Sequence, residues 1–346
     1  MQKRHSWSED KILSHLPAAR QLYDAQKDPS IPFPAPRFLS IWVSQVCNLD
    51  CTYCYFADSN HNPEKTFVDK DAIIAWLHEM RSFGSEALEF SGGGEPTVHK
   101  HFAEIFEAAV GMGYSLGLIT HACNPMPLEL LAAHAKYVRC GLDAATAETH
   151  AAIKRKEGRF DKAVSNIKEL VRLRDLGAEA NPGFKVGIKV VLNAINFREY
   201  REMVFLAREL RVNYIQIKYE HSSDHPLTEE QLKEAQDFFN LESGPHEFTR
   251  VHGNLAHQRA TTPCFMSPIH TVVDAGGNIL QCCFMDKTPI GTIFQPIQEV
   301  WGSDKHRRVM QETTVEMCDK VDCRWNYFNQ RMKDAIEDPQ ASMSFI

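Results

Sequence analysis

The chain has 346 residues, 43% of them hydrophobic and 24% charged, values typical of a globular protein with an ordinary core. The formal net charge of −7 and the absence of a long basic run give no electrostatic reason to expect nucleic-acid binding. No apolar stretch approaches the roughly 20 residues that span a bilayer, and the first residues lack the apolar core of a signal peptide, so we expect a cytosolic protein without a membrane partner.

Residues 1–36 are predicted to form a helical lead-in that ends in the proline-rich segment 32–37. Prolines stop a helix and favour an extended chain. Residues 38–44 then have the composition of a buried strand, and a cysteine-rich loop follows at its carboxyl end.

Strand-like and helix-like segments alternate after this loop. The further predicted strands are 87–90, 115–120, 137–142, 185–192 and 214–219. The predicted helices are 72–82, 102–112, 127–134, 160–176 and 197–210. About six βα units call for parallel strands with right-handed crossovers. Six are too few for a closed eight-stranded barrel, so we expect an α/β fold with a partial barrel that binds ligands at the carboxyl ends of its strands.

The C-terminal part of the sequence does not continue the alternation of strands and helices. Residues 226–254 are polar and helical, and a new segment opens at Cys264. A boundary near residue 255 divides the chain into the lead-in 1–36, a core domain 37–255 and a C-terminal domain with its tail, 256–346. In the last of these, residues 277–283 resemble a hairpin strand and residues 297–311 a helix.

Ten cysteines are many for a cytosolic chain, because disulfides are rare in that compartment. Three lie near residue 50, two stand alone, and five lie between residues 264 and 323. Two groups of metal ligands explain this distribution better than a disulfide framework does. Scattered buried thiols are the alternative for both groups.

The first group has the spacing C-x-x-x-C-x-x-C, formed by Cys47, Cys51 and Cys54. An iron–sulfur cube normally takes four cysteine thiolates, so three leave one iron open to a small molecule. A second motif, S-G-G-G-E-P at residues 91–96, follows the second predicted strand. Its consecutive glycines allow the backbone to approach a ligand closely.

Together the two motifs resemble those of the radical S-adenosylmethionine (SAM) enzymes, whose core is a (β/α)6 partial barrel. The resemblance implies that Cys47, Cys51 and Cys54 hold a 4Fe-4S cluster and that SAM chelates its open iron. One electron, from a flavodoxin or ferredoxin system, would cleave SAM to a 5′-deoxyadenosyl radical that abstracts hydrogen from a substrate carbon.

The resemblance also implies the contacts to SAM. Gly93, Gly94 and Glu95 match the motif that grips the methionyl ammonium group, with Glu95 as the acceptor. Tyr53 stands where the family has an aromatic ring beside the adenine, and core packing is the alternative for it.

Four weaker matches complete the implied SAM site. Thr120 ends the third predicted strand, where a polar residue often meets the cofactor. Asp143 could contact the ribose, with helix N-capping as an equal alternative. Arg155 matches a basic residue for the methionyl carboxylate, although Lys154 competes for that position. Asn193 is a further candidate for the ribose.

The C-terminal cysteines resemble those of the SPASM/twitch extension, which carries auxiliary iron–sulfur clusters. The count fits one auxiliary 4Fe-4S cluster with the ligands Cys264, Cys282, Cys318 and Cys323. The spacing G-x-x-x-x-C selects Cys282 and leaves Cys283 open as a buried thiol or hydrogen donor. Zinc in a four-cysteine site is the rival interpretation.

In that family a fully ligated auxiliary cluster usually accepts an electron from a substrate radical, which implies a net oxidation. We expect a small-molecule substrate such as a sugar, a cyclitol or a nucleotide-linked metabolite, because only 46 residues precede Cys47 and they do not resemble a winged-helix peptide-recognition module. Removing a hydroxyl proton needs a base. The candidates are His121, Lys218, Glu220 and His221.

Other reactions stay open. A redox-neutral epimerisation would use Cys283, Cys140 or Cys123 as hydrogen donor, and decarboxylation or modification of a ribosomal peptide are further alternatives. A non-catalytic iron–sulfur carrier would use the same cysteines but would not need Gly93, Gly94 and Glu95.

Overall fold

The computed structural model describes residues 15–56, 66–219, 224–244, 249–257, 259–267, 269–284, 288–321, 323 and 325–337. The strands are β1 (Phe38–Ile41), β2 (Ala87–Phe90), β3 (Ser115–Thr120), β4 (Ala135–Gly141), β5 (Lys185–Leu192), β6 (Tyr214–Tyr219), β7 (Arg250–Asn254), β8 (His270–Val273), β9 (Asn278–Leu280) and β10 (Gly291–Thr292). Across the described residues, no helix is both long enough and apolar enough to cross a membrane.

Helices α1 to α12 connect and flank these strands. They are α1 (Leu16–Lys27), α2 (Lys70–Phe83), α3 (Phe102–Gly111), α4 (Leu128–His134), α5 (Ala147–Lys154), α6 (Phe160–Leu176), α7 (Tyr200–Glu209), α8 (Glu229–Glu242), α9 (Ile297–Val300), α10 (Asp304–Glu312), α11 (Val315–Lys320) and α12 (Asn326–Glu337). The predicted core helices and strands are therefore confirmed to within a few residues at their ends.

All ten strands belong to one sheet with the order β10-β9-β8-β1-β2-β3-β4-β5-β6-β7. Strands β1 to β7 are parallel to their neighbours, and β8 is parallel to β1. Among these strands only β9 is reversed, and it pairs antiparallel with β8 on one side and with the edge strand β10 on the other. The two ends of the sheet are different strands that do not pair, which confirms the expected open, partial-barrel form for the described residues.

Four strands extend the sheet beyond the six expected, and two of them, β7 and β8, extend its parallel part. Residues 226–254 were predicted to be polar and helical, and this is wrong at their end, where β7 pairs with β6. In the C-terminal segment β8 pairs with β1 over Phe38↔His270 to Ile41↔Val273. The sheet thus continues through the boundary near residue 255, which we retain as a proposal for the division between domains.

The outer face of the sheet is apolar and lies under the helices. Leu39, Leu88 and Val186, for example, are fully buried in the main core together with Trp76 of α2 and Ile167 of α6. Because successive side chains on a strand point to opposite faces, the residues between them line the other side. We call this side the inner face, and its polar members on β1, β2 and β4 to β7 include Ser40, Glu89, Tyr137, Arg139, Lys185, Lys189, Tyr214, Gln216, Lys218, Arg250, His252 and Asn254.

Two glycines make room for aromatic rings on the inner face. A Cβ at Gly117 would lie 2.4 Å from the ring of Tyr137, and one at Gly187 would lie 2.1 Å from the ring of Tyr214. The Tyr137 hydroxyl donates to Glu89, on the strand beyond Gly117. Each tyrosine therefore lies flat across the neighbouring strand, which only glycine permits.

The N-terminal lead-in packs against the C-terminal part of the chain. The predicted helix is present as α1, and residues 1–14 lie outside the described part. Arg20 donates to the carbonyl of Ile336 in α12 at 2.9 Å, and Arg307 donates to that of Ala25 in α1 at 2.7 Å. The helix predicted over 297–311 is divided into α9 and α10, because Gly302 between them has a φ of +76°.

We expect Gly187→Ala to destabilise the protein by about 1–3 kcal/mol, the usual cost of overpacking, because the new methyl group would collide with the Tyr214 ring. Urea unfolding of the purified protein measures this change. Gly183→Ala is the matched control, since nothing lies within 4 Å of the position that its methyl group would take. Equal stability of the two variants would contradict the packing of Tyr214 described above.

Candidate metal and cofactor site

The loop that carries Cys47, Cys51 and Cys54 follows β1 at the carboxyl edge of the sheet, and all three thiols are partly exposed. Its backbone docks on the end of α5, where the Asp50 and Thr52 amides donate to the last two residues of that helix at 3.3 and 3.0 Å. Burial raises the pKa of Cys47 to about 12. Such a thiol ionises when a metal binds it, because the cation replaces the proton.

A buried ion pair lies directly beneath this loop. Lys154, the last residue of α5, pairs with Asp143, and the two side chains are 2% and 1% exposed. The other carboxylate oxygen of Asp143 accepts from the Val191 amide at 2.7 Å. Tyr53 donates to Asp143 at 2.7 Å and accepts from Lys154 at 3.0 Å. Lys154 also hydrogen-bonds Cys51, which opposes the rise in the Cys51 pKa caused by burial.

These contacts revise two predictions. Both oxygens of Asp143 are committed within the protein, so the structure does not offer this carboxylate to a ribose. The helix-capping alternative is wrong as well, since Thr146 caps α5 by accepting from the Thr149 amide. Burial raises the pKa of Asp143, and the opposing charge of Lys154 outweighs this and lowers it.

The structure also separates Lys154 from Arg155. Arg155 is 57% exposed and pairs with Asp50 at 3.2 Å on the surface. Its backbone is left-handed, with a φ of +50°, because α5 ends there. Lys154 is therefore the buried cation beneath the cysteine loop, whereas Arg155 contacts the exposed side of the same loop through Asp50.

The glycine motif contacts the chain immediately before Cys47. The Gly94 amide donates to the Ser44 carbonyl at 2.8 Å, and the Glu95 amide donates to that of Val46 at 2.9 Å. A Cβ at Gly94 would lie 2.3 Å from the Val46 oxygen, whereas one at Gly93 would meet nothing closer than 3.5 Å. Gly94 thus allows the close approach of the two motifs, whereas a Cβ at Gly93 would make only ordinary van der Waals contacts.

Glu95 is a buried acceptor for the protein itself. Its carboxylate accepts from the Thr97 hydroxyl at 2.7 Å, the Thr120 hydroxyl at 2.6 Å and the His121 amide at 2.9 Å. The Thr120 hydroxyl also accepts from Ala122 at 3.0 Å. Thr120 is therefore a structural brace and not the open cofactor contact that we expected. An interaction of Glu95 with an ammonium group stays a prediction.

His121 was predicted as a candidate base, and its contacts contradict that role. Its Nδ1 accepts from the Cys123 amide at 2.9 Å, so Nε2 carries the hydrogen and donates to Asn48 at 2.8 Å. Burial lowers the pKa of His121, which keeps the ring neutral. With its acceptor nitrogen occupied, the ring positions Asn48 inside the cysteine loop. Asn48 also donates to Asn124 at 2.7 Å.

Sequence reasoning missed this network. Its members are Asn48, Thr97, Asn124 and Asn166, which are joined to each other and to Glu95 through backbone and side-chain hydrogen bonds. Asn166 of α6 donates to the carbonyl of Ala122, which has a left-handed φ of +59°. The asparagine that follows the first cysteine was the visible sequence feature, but its direct partners, His121 and Asn124, lie 73 and 76 residues later in the chain.

Asn193 fits its predicted role better. It is fully buried, and its oxygen accepts from the Ile195 amide at 2.9 Å. Its Nδ2 donor has no hydrogen-bond partner among the described residues. An unpaired buried donor at the carboxyl end of β5 is suited to a ligand hydroxyl.

The single cysteines do not reach the inner face. Cys140 alternates with Tyr137 and Arg139 on β4 and lies fully buried in the outer core, so its prediction as a hydrogen donor is wrong. Cys123 is buried beside His121 and its thiol points at the His121 carbonyl, 3.2 Å away. Lys218 lies on the inner face, whereas Glu220 and His221 lie outside the described residues.

Four C-terminal thiols share one small cavity. It is lined by Cys264, Cys282, Cys318 and Cys323, together with His270 and Trp325. The Ser267 amide donates to the sulfur of Cys264 at 3.2 Å. Burial raises the pKa of Cys264 and Cys318 to about 11. This arrangement supports the predicted ligand set for an auxiliary cluster.

Cys283 lies elsewhere, in a separate cluster with Trp42, Val272 and Leu280. No three side chains of the described Cys, His, Asp and Glu residues are close enough to hold a single metal ion. A cubane binds its four thiolates on four different irons, so its ligands need not converge on one point.

Aromatic rings join the two cysteine sites. Phe56, just after Cys54, packs edge-on against Trp42 at 5.0 Å between ring centroids, and Cys283 belongs to the same cluster. Tyr55 packs against Phe284 at 5.9 Å. The first cysteine loop is thus in direct contact with the hairpin that carries Cys282.

Comparison with known protein families agrees with both sites. A model of the radical SAM superfamily matches residues 42–176, and a model of an iron–sulfur cluster-binding domain, SPASM, matches residues 264–324. The first range contains Cys47, Cys51 and Cys54, and the second contains the four cysteines of the cavity. The two domains indicate a SAM-binding 4Fe-4S cluster, SAM and an auxiliary 4Fe-4S cluster.

Individual relatives are distant. An S-adenosylmethionine-dependent nucleotide dehydratase of Selenomonas ruminantium is 27% identical over 50% of this chain, which spans 62% of that protein's length. An AdoMet-dependent heme synthase of Methanosarcina barkeri is 23% identical over 80% of this chain and 85% of its own. The structure of Streptococcus suis SuiB bound to S-adenosylmethionine has a TM-score of 0.63 and 14% identity, with 86% of this chain and 72% of that one covered. The last similarity shows the fold.

We expect Asp143→Asn to destabilise the protein by about 3–5 kcal/mol, because it leaves the Lys154 charge buried without a partner. Asp50→Asn, which breaks the exposed pair with Arg155, should cost less than about 1 kcal/mol. Urea unfolding of both variants tests the difference. A similar small loss in both would show that the buried pair does not hold this region together.

Iron content tests the auxiliary ligand set. Anaerobically purified protein should contain about eight irons per chain and no zinc, as two cubanes require. Cys264→Ala should lower this to about four irons, whereas the matched variant Cys283→Ala should keep about eight. Zinc in the purified protein, or iron loss in the Cys283 variant alone, would contradict the assignment.

Proposed function

Starting from the radical SAM and SPASM domains that this chain carries, we propose that it is a radical SAM enzyme that oxidises a small metabolite in a biosynthetic pathway. The cluster and SAM, when bound, supply a 5′-deoxyadenosyl radical that removes a hydrogen atom from a substrate carbon. The electron for SAM cleavage would come from a flavodoxin or ferredoxin system in the cytosol.

The observation that carries this proposal is the contact between the two cysteine sites. The rings of Phe56, Trp42, Tyr55 and Phe284 pack in the space between the first loop and the Cys282 hairpin. An electron left on a substrate beside the first site thus has a short route to an auxiliary cluster. A redox-neutral reaction would not need this second acceptor.

The chain's own residues would hold and orient the cofactors. Cys47, Cys51 and Cys54 would bind the first cluster, and Lys154 fixes Cys51 while its own charge is balanced by Asp143. Gly93 lies beside the loop, and the unpaired Nδ2 of Asn193 would donate to a SAM hydroxyl. Fixed donors of this kind position a reactive atom without further reorganisation.

The proposed substrate class, a small metabolite, is supported by the named relatives and by the inner face of the sheet. The two curated relatives described above are named for reactions of a nucleotide and of heme, both small molecules. SuiB, which shares the fold, has also been solved bound to the precursor peptide SuiA. The inner face of this chain presents polar and charged side chains from β2 to β7, which favours a polar metabolite as the substrate.

SAM cleavage tests the proposal directly. Anaerobically reconstituted protein, incubated with SAM and dithionite, should release 5′-deoxyadenosine, measured by liquid chromatography with mass detection. Cys51→Ala should abolish this release, because it removes one of three thiolates of the first cluster. Cys140→Ala, which changes a buried thiol on the outer face, is the matched control and should retain it.

The outcomes separate the candidate functions. Release by the Cys51 variant would overturn the assignment of the first cluster. A wild-type protein that holds both clusters but never cleaves SAM would be an iron–sulfur carrier and not an enzyme.

A further inference from the structure

Arg139 is the most conspicuous cation of the inner face. Its Nε donates to the Tyr214 hydroxyl at 3.1 Å, and its guanidinium lies 5.3 and 5.7 Å from the ring centroids of Tyr137 and Tyr214. Within the described part of the chain it forms no ion pair, and its two terminal amino groups have no hydrogen-bond partner. The two tyrosines therefore hold the arginine in place and leave its hydrogen-bonding fork open.

Two lysines, Lys189 on β5 and Lys218 on β6, lie nearer than Arg139 to the carboxyl edge of the sheet. Arg139 pairs in register with Gly187, Lys189 with Gly141, and Lys218 with Val191. Arg139, Lys189 and Lys218 thus lie on successive strands, each one inner-face position nearer to the carboxyl edge. Among the inner-face residues defined above, Glu89 is the only carboxylate, and it accepts the hydroxyl hydrogen of Tyr137 while its charge also acts on Arg139.

His252 and the pair of Lys154 and Asp143 add no net charge to this region. Burial lowers the pKa of His252 on β7, which keeps that ring uncharged, and Lys154 and Asp143 cancel each other at the edge. Arg139 thus keeps its charge at a largely buried position with Glu89 as the nearby carboxylate, and electrostatic attraction is stronger there than in bulk water.

We propose that this face binds an oxyanion of the substrate, a phosphate or a carboxylate, and that Arg139 is its direct ligand. A guanidinium fork matches such groups with two parallel hydrogen bonds. The inference rests on the proposed function, since it names the substrate class of the same site. Arg139 precedes Asp143 by four residues, which corresponds to about 13 Å along an extended chain at about 3.3 Å per residue. Asp143 lies beneath the cysteine loop, so a small molecule could reach from that loop to an anion site at Arg139.

Titration calorimetry with two probes tests the proposal. Reconstituted protein saturated with SAM is titrated anaerobically with inorganic phosphate and, separately, with acetate, at constant ionic strength. The tighter probe identifies the oxyanion. Arg139→Gln should weaken binding of that probe by about 10- to 100-fold, since a hydrogen bond to a charged group contributes about 1.5–3 kcal/mol.

Two further variants complete the test. Arg139→Lys keeps the charge but loses the fork, so its affinity should fall between those of wild type and Arg139→Gln. Arg172→Gln on α6 removes an exposed arginine paired with Glu169 and should bind as wild type does. Circular dichroism verifies the folding of each variant, and if Arg139→Gln does not fold, the Arg139→Lys affinity decides.

The proposal is overturned if wild type binds neither probe with a dissociation constant below about 10 mM, or if the folded Arg139 variants bind as wild type does. Release of 5′-deoxyadenosine by the wild type is measured in parallel. Its absence would contradict the proposed function, whereas the binding result would remain readable because phosphate binding needs no SAM cleavage.

Discussion

The contact between Lys154 and Asp143 holds the candidate site together. It joins the end of α5 to the chain that follows β4, and through Val191 and Tyr53 it adds β5 and the cysteine loop. Two buried charges lose their hydration, and only good geometry with further hydrogen bonds compensates for that loss. Both oxygens of Asp143 and the ammonium of Lys154 have such bonds. The loop of thiols is thus placed by a polar group that cannot move independently of four segments.

Much of the fold was predictable because its information is local. Hydrophobic runs of four to eight residues alternate with helical periodicity, and this pattern indicates parallel strands with helical crossovers. The short additional strands β7 and β8 were not predictable in the same way. Strand β7 pairs with β6, which lies more than thirty residues earlier in the chain, and β8 pairs with β1, which lies more than two hundred residues earlier. The break between α9 and α10 depended on one glycine, which a helical pattern tolerates.

The parts of the site that form short sequence motifs were predictable, because the spacing of their residues along the chain is enough to identify them. Three thiols within eight residues and consecutive glycines after a strand are recognisable without a fold. Single polar residues were not, because their hydrogen-bond partners decide their role. Thr120, His121 and Asp143 stand at strand ends, as cofactor ligands do, but each is occupied by distant protein groups. The choice between Lys154 and Arg155 depended on where α5 ends, and helix ends are the least certain part of a sequence-based assignment.

The pairing of β8 with β1 has a consequence for how this protein can be divided. Without β8, the strand that leads into the thiol loop would become an edge, with unsatisfied amide and carbonyl groups open to other chains. The C-terminal segment therefore shields the first half from self-association as well as contributing its own cysteines. A gene fragment that stops after β7 would encode every residue proposed to bind SAM and still lack a finished scaffold.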